Sequence, residues 1–116
     1  MKNLTFAYLL FVAFTAASCS VTSSTRIKSK ESFVLGNNEH GSFVVRMKNT
    51  SLSNLSYYEA PISGGTHSPQ TIKPNQSAVI KVDKNTALVI DNKTNILATV
   101  KLKITGDVGL SMGYKQ

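Results

Sequence analysis

The chain has 116 residues, with 13 Lys and Arg against six Asp and Glu and a formal net charge of +7, so it is basic. Its length allows one domain and not two. A single cysteine, Cys19, excludes an intramolecular disulfide, so a packed apolar core has to hold the fold. The chain shows no heptads and no internal repeat, which excludes a coiled coil and a solenoid.

The N-terminal segment MKNLTFAYLLFVAFTAASCS has the organisation of a secretory signal peptide. Lys2 gives a short positive start, and residues 4–17 carry no charge. This apolar stretch is shorter than the roughly 20 residues that span a bilayer, and small residues precede a cleavage site between Ser18 and Cys19. Residues 1–18 are therefore predicted to be a cleaved signal peptide.

The residues at this cleavage site, Ala16, Ala17, Ser18 and Cys19, resemble the lipobox of bacterial lipoproteins. The resemblance implies that the Cys19 thiol is alkylated by a diacylglycerol and that the new amino terminus is acylated, which anchors the chain stably to the cell membrane or outer membrane. A lipidated thiol also excludes a blue-copper site, which needs a cysteine thiolate. The alternatives are ordinary cleavage that leaves a free thiol, and an uncleaved anchor.

The segment after the signal, residues 19–32, is polar apart from Ile27. It is interpreted as the lipidated cysteine followed by a flexible tether, with a first edge strand near Ile27 as the alternative. No acidic residue occurs in it before Glu31, which favours a periplasm-facing protein. The predicted domain is residues 33–116.

Within this domain, apolar and polar residues alternate with the period of half-buried strands. Turn-forming residues such as Asn49-Thr50-Ser51 and Thr105-Gly106-Asp107 separate the alternating segments. The pattern predicts an all-β fold, an antiparallel β-sandwich of about seven strands. The clearest predicted strands cover residues 43–48, 55–59, 78–83, 86–91, 96–104 and 108–114.

Two stretches within about residues 43–82, VVRMKNTSLSNLSYYEAP and TIKPNQSAVIKV, resemble bacterial immunoglobulin-like or related β-sandwich modules. In that pattern a strand ends in an Asn-x-Ser turn, the next strand pairs back, and a Pro-Asn turn introduces a later strand. The resemblance implies a fold class and no activity, because sandwiches host many functions.

The most unusual stretch is APISGGTHSPQTIKP, residues 60–74, which holds all three prolines and two adjacent glycines. A long loop of this kind is often functional, and Tyr57 and Tyr58 just upstream would add an aromatic wall. The alternative is an exposed connection that only crosses between sheets. The residues of this candidate binding loop are Gly64, Gly65, Thr66 and His67.

A small-ligand or copper-type carrier that uses this loop is the alternative function. The residues available to a His/Met site for Cu(I) are His40, His67, Met47 and Met112. Their spacing matches no known metal motif, and the two methionines fall on predicted core faces. No metal site and no cofactor is therefore assigned.

Basic residues concentrate at outward positions of the predicted strands, where they would form a basic face if these strands are neighbours. Such a face would meet lipid phosphates, an acidic polysaccharide or an acidic protein. The alternative is a solvated face whose lysines prevent edge-to-edge strand pairing. The residues of this candidate basic face are Arg46, Lys48, Lys81, Lys101 and Lys103.

No catalytic, phosphate-binding or zinc motif occurs in the sequence. The sequence therefore predicts a membrane-anchored exported lipoprotein that is not an enzyme and has a binding or structural role in the bacterial cell envelope. Its expected partners are the membrane, through the lipid on Cys19, and a protein or polysaccharide of the envelope. Export and the lack of a recognition motif argue against nucleic acid.

Overall fold

A computed structural model describes residues 20–116. The predicted signal peptide and Cys19 lie outside the described residues. In the described part of the chain, no helix is both long enough and apolar enough to cross a membrane. The described strands are β1 (Ser20–Ile27), β2 (Ser32–Leu35), β3 (Phe43–Asn49), β4 (Leu55–Pro61), β5 (Gln70–Ile72), β6 (Ser77–Val82), β7 (Thr86–Asp91), β8 (Ala98–Gly106) and β9 (Met112–Lys115).

The strands form two sheets, and every strand pair in them is antiparallel. One sheet has the order β1-β8-β3-β6, and the other has the order β5-β4-β7-β2-β9. Without β9, these are the two four-stranded sheets of a jelly roll. Consecutive strands lie in opposite sheets except β4 and β5, which pair with each other. The β-sandwich prediction is confirmed, with nine described strands where about seven were expected and with this strand order in place of the immunoglobulin order.

Alternation of apolar and polar residues builds the core between the sheets. In β8, Val100, Leu102 and Ile104 are buried while Lys101 and Lys103 are exposed, because successive side chains of a strand point to opposite faces. β2, β3 and β6 alternate in the same way, whereas β7 buries five consecutive residues, Thr86 to Ile90. The nine described strands and the described core cluster all lie within residues 20–116. A segment with a packed apolar core of its own can fold as a domain.

Within the predicted tether, residues 19–32, the described part contains all of β1, Ser20–Ile27, and the first residue of β2. All eight residues of β1 pair with β8, from Ser20 opposite Thr105 to Ile27 opposite Ala98. Ile27 is fully buried, and Thr25 is also buried. The flexible-tether interpretation is wrong for these residues, and the alternative of a first edge strand near Ile27 is confirmed. Most residues of β1 are polar, so backbone pairing with β8, which the sequence pattern does not show, holds the strand in place.

Two strand boundaries also differ from the prediction. The strand expected from residue 96 begins at Ala98, and Ile96 and Leu97 lie exposed in the preceding loop. The C-terminal strand expected from residue 108 begins at Met112 and pairs with β2, where Tyr114 meets Phe33 edge to face with ring centroids 5.5 Å apart.

Buried asparagines hold two loops at one end of the sandwich. The Asn49 side chain accepts hydrogen bonds from the backbone and hydroxyl of Ser51 and donates to the carbonyls of Ser53 and Ile72. The Asn92 side chain accepts hydrogen bonds from the backbone and hydroxyl of Thr94, and it donates to the carbonyls of Ile96 and Ile27. Both loops are therefore rigid, since a fully satisfied buried amide fixes the backbone around it.

At the opposite end, His40 fixes the loop between β2 and β3. Its Nε2 lies 3.0 Å from the carbonyl of Gly36 and 2.9 Å from that of Thr86, and its Nδ1 lies 2.5 Å from the carbonyl of Gly41. These contacts join the His40 ring to the backbone of its own loop and to the start of β7.

Candidate functional site

The predicted basic face is assembled on the outer surface of the four-stranded sheet. All five predicted residues are exposed on β3, β6 and β8, and their strands are neighbours in the sheet. Arg26 of β1 joins them, since its position in the register puts it on the same face as Lys101 and Lys103. Sequence reasoning missed Arg26 because β1 was interpreted as a tether. The basic face is Arg26, Arg46, Lys48, Lys81, Lys101 and Lys103.

Four of these residues form a quartet at the centre of the sheet. Arg46 lies directly opposite Lys103, and Lys48 lies directly opposite Lys101. Cross-strand neighbours of this kind are about 5 Å apart at Cβ, and next-but-one residues in a strand are about 7 Å apart. The quartet is therefore a small grid of like charges, an arrangement that is destabilising when nothing neutralises it.

No acidic side chain of the described residues belongs to this sheet. The acids lie in loops or in the other sheet, and none lies in β1, β3, β6 or β8. The electrostatic potential over the basic face is therefore positive without internal compensation, as expected for a surface that meets an anion. The six acids are Glu31, Glu39, Glu59, Asp83, Asp91 and Asp107.

The position of the quartet argues against the alternative interpretation of these lysines. Lysine protects sheet edges because it prevents pairing with another strand. β3 and β8 are the two inner strands of the sheet, and both of their edges are already paired. Edge protection therefore accounts for at most Arg26 and Lys81, which lie on the edge strands β1 and β6.

A shallow groove crosses the same face, with a volume of about 310 Å³. The quartet supplies its charge, and Val79, 60% exposed, contributes an apolar surface. Thr22 and Ser77 add hydroxyl groups. The groove is thus suited to a ligand with negative charge, hydroxyl groups and some apolar surface.

The candidate binding loop of Gly64 to His67 has a different character. All residues from 62 to 70 are exposed, and a Cβ added at Gly64 or Gly65 would meet nothing within 4 Å. The loop is tied back by the amide of His67, which donates to the carbonyl of Glu59 at 2.8 Å. The two glycines adopt positive φ values of 124° and 83°, which the turn requires. This geometry fits an exposed connection and gives a ligand no enclosing wall.

The tyrosines before this loop do not form one aromatic wall. Tyr57 and Tyr58 are consecutive in β4, so their side chains point to opposite faces of the sheet. Tyr57 packs against the core cluster. Burial, and secondarily the charge of Asp91, raises the pKa of Tyr58.

The residues considered for copper are dispersed. Met47 is buried in the core from β3, and Met112 is exposed on β9 in the other sheet. The ring nitrogens of His40 contact backbone carbonyls. Within residues 20–116, no group of three or more His, Cys, Asp or Glu side chains is placed to hold a metal ion.

The sequence matches no protein-family model and no curated protein. Solved structures are similar in fold. The Yersinia pseudotuberculosis-derived mitogen is 14% identical with a TM-score of 0.50, covering 75% of this chain and 85% of the mitogen chain. Procruciferin, an 11S globulin from Brassica napus, is 8% identical with a TM-score of 0.53, covering 92% of this chain and 25% of its own.

CapF, a capsular polysaccharide assembling protein from Staphylococcus aureus, is also similar in fold. It is 8% identical with a TM-score of 0.50, covering 73% of this chain, and this chain spans only 23% of CapF. At such identities these likenesses show the fold alone. CapF has also been solved with the inhibitor 3-isopropenyl-tropolone. The prediction that this chain is not an enzyme is therefore wrong. The fold is shared with a protein that binds a small-molecule inhibitor, so the lack of a catalytic motif in this sequence does not exclude catalysis.

Proposed function

We propose that this chain is an exported lipoprotein, anchored to a bacterial membrane through Cys19, whose β-domain binds an anionic polysaccharide of the cell envelope on its basic face. The observation that carries the binding role is the quartet of Arg46, Lys48, Lys101 and Lys103 on the two inner strands of a sheet that has no acid. Opposed like charges lower the stability of a sheet, so their presence on inner strands favours a binding role.

A polysaccharide fits this face better than a protein does. The cations repeat at about 5 Å across the strands and at about 7 Å along them. Several of them can therefore bind several negative charges of one extended polymer at the same time. The hydroxyls of Thr22 and Ser77 can exchange hydrogen bonds with sugar hydroxyls, and Val79 can pack against the apolar face of a sugar ring. Lysine is depleted from protein–protein interfaces, which argues against a protein partner.

The anchor is supported by the sequence before the domain. A signal peptide and the lipobox residues Ala16-Ala17-Ser18 precede Cys19. The first described strand begins at Ser20, so a lipid on Cys19 would leave no spacer between the bilayer and β1. We expect Cys19→Ser to move the protein from the membrane fraction to the soluble fraction. Unchanged membrane retention in that variant would contradict the anchor and leave the binding role to be judged separately.

The binding role is tested by titrating residues 20–116 with polygalacturonate, an anionic polysaccharide, and with neutral dextran. The double variant Lys48→Gln/Lys101→Gln should lose about tenfold or more in affinity for polygalacturonate. The matched control Lys84→Gln/Lys115→Gln removes the same charge outside the basic face and should change the affinity little. Equal losses in the two double variants would mean that only net charge matters and would refute the site.

A further inference from the structure

Three large aliphatic side chains project from one end of the sandwich. Leu52 is 90% exposed in the loop between β3 and β4, and Ile96 and Leu97 are 51% and 48% exposed in the loop between β7 and β8. Both loops lie at the same end, because Asn49 at the end of β3 pairs with Val100 near the start of β8. We call Leu52, Ile96 and Leu97 the apolar tip.

The loops that carry the apolar tip are fixed by hydrogen bonds. Asn49 and Asn92 are buried, and each bonds across its own loop. The two loops are also connected through the start of β8, where the amide of Thr50 donates to the carbonyl of Thr99 at 3.1 Å and their hydroxyls lie 2.8 Å apart. The aliphatic side chains are therefore held outward by rigid backbone and are not free to collapse onto the domain.

Four lysines lie in loops at the same end of the sandwich as the apolar tip. Lys28 and Lys30 in the loop between β1 and β2, Lys73 after β5, and Lys93 after β7 are all exposed. Lys30 also bridges two of these loops, since its Nζ donates to the carbonyl of Lys93 at 2.9 Å.

The acids near this end are partly engaged in local hydrogen bonds. Glu31 accepts from the amide of Lys28 at 3.4 Å, and Asp91 accepts from the hydroxyl of Ser32. Neither carboxylate is fully exposed. The opposite end of the sandwich carries Glu39, Asp83 and Asp107 with one exposed lysine, Lys84, in its β6–β7 loop, so the loop lysines concentrate at the end with the apolar tip.

We infer that the apolar tip inserts into a lipid bilayer with anionic headgroups. Peripheral membrane-binding surfaces combine aliphatic side chains, which enter the interfacial region of the bilayer, with lysines, which bind lipid phosphates. Lysine stems extend along apolar surface while their ammonium groups stay in the polar layer. A protein partner fits less well, because the tip has no aromatic or arginine anchor and lysine is depleted from protein interfaces.

The apolar tip is distinct from the position of the proposed lipid. Ser20 lies at the end of β1 opposite Ile27, and an eight-residue strand is about 26 Å long. The apolar tip lies at the Ile27 end of β1. A lipid on Cys19 and the apolar tip could therefore enter the same membrane only if β1 lay along the membrane surface. The inference therefore holds with or without the lipid.

The chain has no tryptophan, so a single introduced tryptophan reports its own environment. Residues 20–116 are prepared as Leu52→Trp and, as the matched control on the basic face, Val79→Trp, and each is checked for cooperative thermal unfolding. Each is mixed with vesicles of equimolar phosphatidylglycerol and phosphatidylcholine that carry brominated acyl chains. We expect Leu52→Trp fluorescence to shift to the blue and be quenched, while Val79→Trp fluorescence stays unchanged.

A second measurement uses sedimentation with the same lipids without bromine. Leu52→Ser/Leu97→Ser should bind these vesicles about tenfold more weakly than the unmodified domain, and Val79→Ser should bind as tightly as it. Vesicles of phosphatidylcholine alone should bind the domain much more weakly. Absence of quenching at Leu52→Trp, equal quenching at Val79→Trp, or undiminished binding to phosphatidylcholine would each overturn the inference.

Discussion

The quartet on the inner strands implies that removing a positive charge from the basic face stabilises the domain. Lys101 lies opposite Lys48 and two residues from Lys103 in the same strand. Replacing it with threonine, Lys101→Thr, removes this repulsion and introduces a residue with a higher preference for strands. The same change should weaken binding to polygalacturonate. Higher stability with lower affinity is the expected signature of charges that a binding site requires.

The size of the effect follows from the register. A direct cross-strand pair of like charges costs about 0.2–1 kcal/mol, and the strand preference of threonine adds a few tenths. We therefore expect Lys101→Thr to raise the free energy of unfolding by about 0.5–1 kcal/mol. For a domain of about 100 residues this raises the Tm by roughly 2–8 °C.

Thermal unfolding of residues 20–116 at low salt and at about 1 M salt separates the two contributions, because at high salt the Debye length falls to about 3 Å. The control Lys115→Thr makes the same substitution on β9, where the opposite residue is Ser32. The stability gain of Lys101→Thr over this control should disappear in high salt. A loss of stability in Lys101→Thr, or a gain over the control that salt leaves unchanged, would refute the reasoning.

Two further predictions concern the ends of the sandwich. Asn92→Ala should lower the free energy of unfolding by about 3 kcal/mol, because carbonyls such as that of Ile27 lose their hydrogen-bond donor. The measurement is urea unfolding, and the control is Asn95→Ala at an exposed position. Equal losses in the two variants would contradict a structural role for Asn92. The amides of Gly41 and Gly109 donate to Asp107 and hold the pKa of its carboxyl below its usual range. Its contribution to stability is therefore present above an unfolded pKa of about 3.9 and is lost as the pH falls through the lower folded pKa. The Tm difference between the unmodified domain and Asp107→Asn should be positive at neutral pH and shrink in acid, and a difference that does not change with pH would contradict this role.

Alternation in the sequence predicted the part of the fold that burial determines. Residues 43–48 carry apolar residues at every second position and form β3, whereas residues 86–91 carry a continuous apolar run from Ala87 to Ile90 and form β7. The basic face was predicted for the same reason, because the residues that lie between the core positions of a strand point to its outer face. Their meeting on one surface depended on strand order, which the hydrophobic period does not encode.

The remaining elements depend on long-range pairing. β1 lacks the apolar residues that make a strand recognisable and is held by backbone bonds to β8, about 80 positions later in the chain. β5 has three residues, too few for a period to show. Ile96 and Leu97 were assigned to a strand because they are apolar, whereas Asn92 and its hydrogen bonds keep them in a loop.

Binding of an anionic polysaccharide to the basic face can be mapped residue by residue. Residues 20–116 labelled with nitrogen-15 are titrated with short galacturonate oligomers, and the amide chemical shifts are followed by NMR. We expect saturable shifts centred on Arg46, Lys48, Lys101 and Lys103. Shifts centred on Gly64 to His67, or no saturable shift on the basic face, would contradict it.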